Sequence, residues 1–127
     1  MKGRFTAAGA LTVCMSCFVF CGAATGAGDP NRGMQLYSAR CGACHSMDDH
    51  GAGPRHRHLI GRRAGSEPGF DYSPALRQSN IVWSAETLDR WLMNPNEFVP
   101  GNKMAVQLAS DPADRADIIA YLIAATR

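Results

Sequence analysis

The stretch CGACH, Cys41 to His45, constrains this chain more than any other, because two thiols and an imidazole set this close must serve one piece of chemistry. Which chemistry depends first on which cysteines share a compartment. Cys14, Cys17 and Cys21 lie inside FTAAGALTVCMSCFVFCGAA, residues 5–24, a run without charge. Lys2 and Arg4 precede it and the small residues TGAG follow it. A positive start, an apolar middle and a small-residue exit form a secretory signal, with cleavage expected between residues 24 and 28. The run is nearly long enough to span a bilayer, so an uncleaved anchor is the alternative, but its Ala, Gly, Ser and Thr make it a mediocre span. A lipoprotein signal would need small residues just before a cysteine, and neither Thr12-Val13 before Cys14 nor Val19-Phe20 before Cys21 supplies them.

Removing residues 1–27 leaves 28–127 as a single domain with two cysteines, Cys41 and Cys44. Two of the 13 basic residues leave with the leader and none of the 11 acids do, so the mature chain has 11 of each and no formal net charge. Nucleic acid, which proteins bind by neutralising phosphates, is excluded as a partner for such a chain.

The mature part reads as all-helical, short helices joined by loops, with no competing strand pattern. Asp29 caps and Pro30 opens a helix that runs into CGACH, with Leu36 and Tyr37 on its apolar face. Ser46 to Gly69 is loop, because its glycines and Pro54 and Pro68 break any regular element. Ser73 to Ser79 forms a short helical turn. Ser84 caps AETLDRWLM, whose Leu88, Trp91 and Leu92 fall on one side and which Pro95 ends. NEFVPGNKMAVQL is a loop by its Pro-Gly and Asn residues, with Met104 just past a turn. Asp111 caps and Pro112 opens the last helix, where Asp114 suits the positive helix end and Ile118, Tyr121, Leu122 and Ala125 form the buried stripe.

On this scaffold the rival chemistries of CGACH separate. Structural zinc needs four ligands, and beyond Cys41, Cys44 and His45 only His50, His56 and His58 are near enough to complete a set. A thiol oxidoreductase uses the same spacing, but at a helix start in a fold with strands, whereas this pair ends a helix. A structural disulfide closing so short a loop adds little stability. Covalent haem uses every residue of the motif: the thiols add to the two porphyrin vinyl groups, and the following histidine is carried beneath the iron. Candidates for the opposite side are Met34, Met47, Met93 and Met104, with the three other histidines. Met34 and Met47 sit too near the attachment point to cross easily. Met93 reads as core packing beside Trp91, and Met104, on a loop between helices, is the best placed.

Gly33 and Tyr37 before CGACH, GP at 53–54, GRRAG at 61–65, GFDYSPAL at 69–76, IVWSAETLDRWLMNP, VPGNKM and DIIAYL follow one another in a family order. From Gly33 to Leu122 the sequence resembles the class I c-type cytochromes, most closely the mitochondrial cytochrome c and bacterial cytochrome c2 branch. The resemblance implies an all-α cytochrome c fold, three to five short helices wrapped around one covalently attached haem c. It implies Cys41 and Cys44 as attachment points, and His45 and Met104 as axial ligands. It also implies a Pro54 carbonyl bonded to His45, and Arg62, Tyr72 and Trp83 as partners of a buried haem propionate. Gly33, Tyr37 and Tyr121 match the crossing of first and last helices.

Several residues depart from the family. Trp91 replaces a tyrosine near the methionine sulfur, Asn102 a threonine and Val106 an aromatic residue, so the surroundings of the sulfur differ. RHRH, Arg55 to His58, stands where an apolar residue and a glycine are usual; with Arg62 and Arg63 it makes a basic patch, read first as a solvated loop and second as a docking surface. Lys103 is the only lysine of the mature part. The expected function is that of a periplasmic single-haem electron carrier, monomeric and not an enzyme. Its partners would be redox proteins: a membrane cytochrome complex, a terminal oxidase or reductase, or a periplasmic dehydrogenase. A dedicated haem subunit of one oxidoreductase is the alternative, and a ligand-binding haem enzyme or sensor a more distant one.

Overall fold

The computed structural model describes residues 3, 27–104, 106–107 and 109–127; residues 1–2 and 4–26, with Cys14, Cys17 and Cys21 and most of the expected export signal, lie outside the described residues. Among the described residues the order is α1 (Pro30–Arg40), α2 (Pro74–Gln78), α3 (Ala85–Met93), α4 (Pro95–Phe98) and α5 (Pro112–Ala125), with no strand beyond one isolated bridge from Arg63 to Val82. No described helix is long and apolar enough to cross a membrane.

The helix starts are chemical. The Asp29 carboxylate accepts from Asn31 N–H at α1, and that of Asp111 accepts from the Ala113 and Asp114 N–H groups at α5, each with a proline in the first turn. At α3 the Ser84 hydroxyl and Thr87 cap one another's backbone reciprocally. The expected stop at Pro95 is a stop and a start together. Asn94 ends α3 and its side chain accepts from Glu97 N–H, so Pro95 opens α4 at a position where its missing N–H has no helical partner to lose. The loop expected from residue 96 onward therefore begins with one more helical turn, which takes up its residues 96–98.

α1 crosses α5 at closest approach, since a Cβ on Gly33 would overlap the Asp117 carbonyl and the Tyr121 Cβ. The Tyr37 and Tyr121 rings meet beside it, centroids 5.2 Å apart. Arg32 binds both Asp114 and Asp117, Arg40 binds Asp114 at 2.7 Å, and Asp29 N–H donates to Asp117 at 2.7 Å. Hydrogen bonds from Arg32 hold both carboxyls below the usual carboxylate range. Asp114 thus does more than suit a helix end. Ile118 and Leu122 are buried as expected, while Tyr121 and Ala125 are half-buried and Arg115, Asp117 and Ile119 join the interior, because α5 packs against α3 as well as α1. Leu88, Trp91 and Leu92 point inward from α3, but Met93 is 43% exposed, so its expected core role fails: the helix turns it past the edge of that stripe.

Candidate haem site

The helices and the long loop between α1 and α2 enclose a cavity of about 220 Å³. Its walls are apolar: Leu59, Phe70 and Leu76 from the loop and α2, Leu88, Trp91 and Leu92 from α3, Ile118 and Leu122 from α5. Trp83 meets Trp91 edge to face at 5.4 Å, and Phe70 meets Tyr72 likewise at 4.9 Å, which fixes the aromatic wall.

The CGACH segment forms the cavity's near edge. α1 carries on into a tight turn, with Cys44 N–H donating to Cys41 O at 3.1 Å and His45 N–H to the same oxygen at 2.9 Å. Cys41 is buried and Cys44 exposed, both are free thiols, and both line the cavity. Burial, reinforced by the neighbouring Cys44, pushes the Cys41 thiol up to about 11, so it stays protonated at neutral pH.

His45 also lines the cavity, and its Nδ1 lies 2.7 Å from the Pro54 carbonyl oxygen. A carbonyl only accepts, so Nδ1 carries the hydrogen and Nε2 keeps the lone pair that can bind a metal. Burial pushes the His45 ring downward against the opposing effect of that hydrogen bond. Gly53 is essential to the arrangement, because a Cβ there would overlap the His45 ring.

Met104 is half-buried and lines the same cavity, three residues past Gly101, which turns the chain at φ +84°. Lys103 beside it bonds Asp71 at 2.7 Å. Asn102 does not line the cavity. Its amide nitrogen donates to the Pro95 and Val99 carbonyls, both at 2.9 Å, and it acts from behind the wall by tying the Met104 loop to α4. Asn102 Oδ1 is buried without a partner.

Arg62, Tyr72 and Trp83 come together on the cavity wall. Arg62 spreads its terminal nitrogens over Glu67, the Arg57 carbonyl at 2.9 Å and the Arg55 carbonyl at 3.1 Å. Its Nε is buried and has no partner, the mark of an acceptor still to be supplied. Burial pushes the Tyr72 hydroxyl up, with Arg62 pulling against it.

The basic patch expected from RHRH is partly neutralised by acids of its own loop. Arg55 binds Glu67 at 2.6 Å, Arg62 binds the same carboxylate, and Arg57 pairs with Asp48, so two carboxylates offset part of its charge, while among the described residues Arg63 bonds only the Arg77 and Ser79 carbonyls. Although burial opposes it, the Arg55 hydrogen bond and the Arg62 charge hold Glu67 below the usual carboxylate range. His50 is bonded at both nitrogens, to Pro68 O and Arg55 N–H. His58 adopts φ 56°, where glycine is usual, and its N–H reaches Thr126 O at 2.7 Å. His56 lines the cavity, its ring stacked on His45. Burial first, then His45 and Arg62, push it down to about 3. Sequence reading left His56 in a solvated run; its one available signal was an imidazole where an apolar residue is usual.

The residues fit a covalently held haem: two free thiols on one edge, an imidazole with Nε2 left over, a thioether on the same cavity, and an orphaned guanidinium nitrogen suited to a carboxylate. Together they define a c-type haem-binding helical protein. The cytochrome c family profile matches residues 30–125. The chain is 42% identical over 107 residues to cytochrome c2 of Rhodomicrobium vannielii, covering 82% of this chain and 85% of that protein. It is 37% identical over 102 residues to cytochrome c of Sesamum indicum, covering 78% and 92%. Cytochrome cH from Methylobacterium extorquens superposes with a TM-score of 0.73 at 39% identity, over 76% of this chain and 99% of that one. The chain belongs to the cytochrome c family. It carries one covalently attached haem c and is a haem-based electron carrier that works with redox partners.

Proposed function

We propose that this chain is a periplasmic one-electron carrier in which Cys41 and Cys44 would hold the haem through thioethers and His45 Nε2 and the Met104 sulfur would ligate its iron. The observation that carries this reading is the Nδ1 bond from His45 to Pro54 O, which reserves Nε2 for iron on a cavity that Met104 also lines. The haem supplies a single electron as its iron alternates between ferrous and ferric. Every other part is the protein's. The Cys41 and Cys44 thiols would each add across a vinyl group, sulfur to one carbon and hydrogen to its neighbour, so attachment would need no oxidant. Arg62, Tyr72 and Trp83 hold a propionate, and Arg62 Nε gains the acceptor it lacks. Leu59, Leu88, Trp91 and Leu122 line the cavity and exclude water, and the Asn102 amide steadies the Met104 loop. Neither ligand need leave on oxidation or reduction, so little rearrangement opposes transfer. Methionine, a weak donor, favours the reduced state within the roughly 0.8 V that axial ligands span.

Residues 1–27 are an export signal removed outside the cytoplasm, where haem is attached, and 28–127 is the working monomer. Its partners are a membrane cytochrome complex, a terminal oxidase or reductase, or a periplasmic dehydrogenase. It performs no substrate chemistry of its own. A carrier dedicated to one oxidoreductase is the second reading, favoured because Lys103 is the only lysine of residues 28–127 and is itself bonded to Asp71, so a lysine-based docking face is missing. Near-stoichiometric co-purification with an enzyme would select it.

Mass spectrometry of the exported protein with its reduced spectrum tests the proposal. A mass equal to residues after the cleavage region plus one haem, with a thioether-type reduced spectrum and no carbon monoxide binding by the native ferrous protein, is expected. Ready carbon monoxide binding would overturn the closed His/Met site.

A further inference from the structure

His56 is the one group of this site that the carrier reading leaves without a task. Its ring lies on the His45 ring, centroids 4.2 Å apart and planes 21° from parallel. Its Nδ1 is 2.9 Å from the Tyr37 hydroxyl on α1, a partner 19 residues away in sequence. Its own N–H donates to Ser46 O at 2.9 Å, and Leu59 N–H donates to its carbonyl at 3.0 Å. The next residue repeats the pattern, with Arg57 N–H on Met47 O at 2.9 Å. The imidazole is therefore fixed by main chain on the segment that follows His45 and by side chain on the helix that precedes it.

A hydrogen bond to one nitrogen fixes a point on an imidazole, about which the ring can still swing. A second ring laid on its face fixes the plane. An aliphatic side chain at position 56 would fill the space but set no plane. Tyr37 is itself held, against Tyr121 at 5.2 Å and against His56 at 5.7 Å, so the restraint extends from the α1–α5 crossing to the ring that faces the iron.

We propose that His56 is a positioning residue: with Tyr37 it locks the plane of the His45 ring, and so the orientation of the axial imidazole over the haem, in both oxidation states. This rests on His45 being an axial ligand. The lock deepens that reading, because a ligand that cannot turn between oxidation states removes one motion from the electron-transfer step.

Proton magnetic resonance of the ferric holoprotein reads the plane directly, since the spread and order of the haem-methyl signals follow the orientation of the axial imidazole. His56→Leu is expected to reorder those signals or narrow their spread while the weak sulfur-to-iron absorption band persists. Tyr37→Phe, which keeps both rings and removes only the hydrogen bond, is expected to move the same signals in the same direction by less. His56→Phe, which restores a ring against His45, is expected to lie nearer the unchanged protein than His56→Leu does. An unaltered methyl pattern in His56→Leu overturns the proposal. If His56→Leu does not mature, an unaltered pattern in Tyr37→Phe overturns it instead. Absence of the sulfur band from the unchanged protein would strike the His45–Met104 reading, not this one.

Discussion

The two sides of the cavity are secured by different means. On the His45 side the backbone bonds to itself at nearly every step: Cys41 and Gly42 to Tyr37, His45 to Cys41, Gly53 to Cys44, His56 to Ser46, and Arg57 to Met47. On the Met104 side, among the described residues, Val99 bonds to Pro95 and Asn102 to Val99 through the main chain, and side chains add the other ties. Lys103 reaches Asp71, Gln107 reaches Met93 O at 2.8 Å, and the buried Arg115 reaches the Ala109 and Ser110 carbonyls at 3.2 and 2.6 Å. A main-chain lattice has little freedom once the fold forms, whereas a side-chain strap can be lost one contact at a time. The His45 side is thus the more rigid reference, and the Met104 side is where the proposed bond to iron would be tuned or broken.

Substitutions on the two sides should therefore fail differently. Gly53→Ala should have the largest effect on the fold, because the His45 ring it would strike is held by Pro54 and His56 and cannot yield. Overpacking of this kind costs about 3 kcal/mol, seen as a lower denaturant midpoint and poor holoprotein yield. Asn102→Ala on the other side should cost less, about 1–2 kcal/mol for its amide bonds to Pro95 and Val99. Its distinguishing sign is a sulfur-to-iron band lost at lower denaturant than the helical signal is, which would not occur if both sides were equally rigid.

Glu67→Gln probes the loop that joins the two and should have the smallest effect. The folded Glu67 carboxyl lies below its ordinary value of 4.5, so the stability it contributes stands fully above that value and disappears as pH falls through the depressed one. The gap in melting temperature between Glu67→Gln and the unchanged protein should be present at pH 6 and close below the carboxylate range. A gap that persists there would mean that shape, not charge, holds the loop.

Much of this was legible in the chain because it is local. Asp29-Pro30, Ser84 and Asp111-Pro112 carry their helix starts within a few residues, and CGACH, Pro54 and Met104 carry the outline of the site. What was hidden depends on partners far away in sequence. RHRH looked like free charge because Glu67 and Asp48 are invisible as its counterions until the loop folds. His56 looked solvated because Tyr37, on another element, is what draws it inward. Pro95 looked like an ending because a capping Asn94 makes the same residue a beginning. Asn102 was placed beside the sulfur when it supports the loop from behind, a distinction of depth that spacing does not encode.

His45 and Met104 are the proposed ligands of the iron, and Met104→Ala tests that pairing most directly. The ferric absorption spectrum of that variant, matured with its haem attached, should lack the weak sulfur-to-iron band that the unchanged protein shows, and its ferrous form should bind carbon monoxide. A band and potential that survive the substitution would contradict the account and assign the sixth position to another residue.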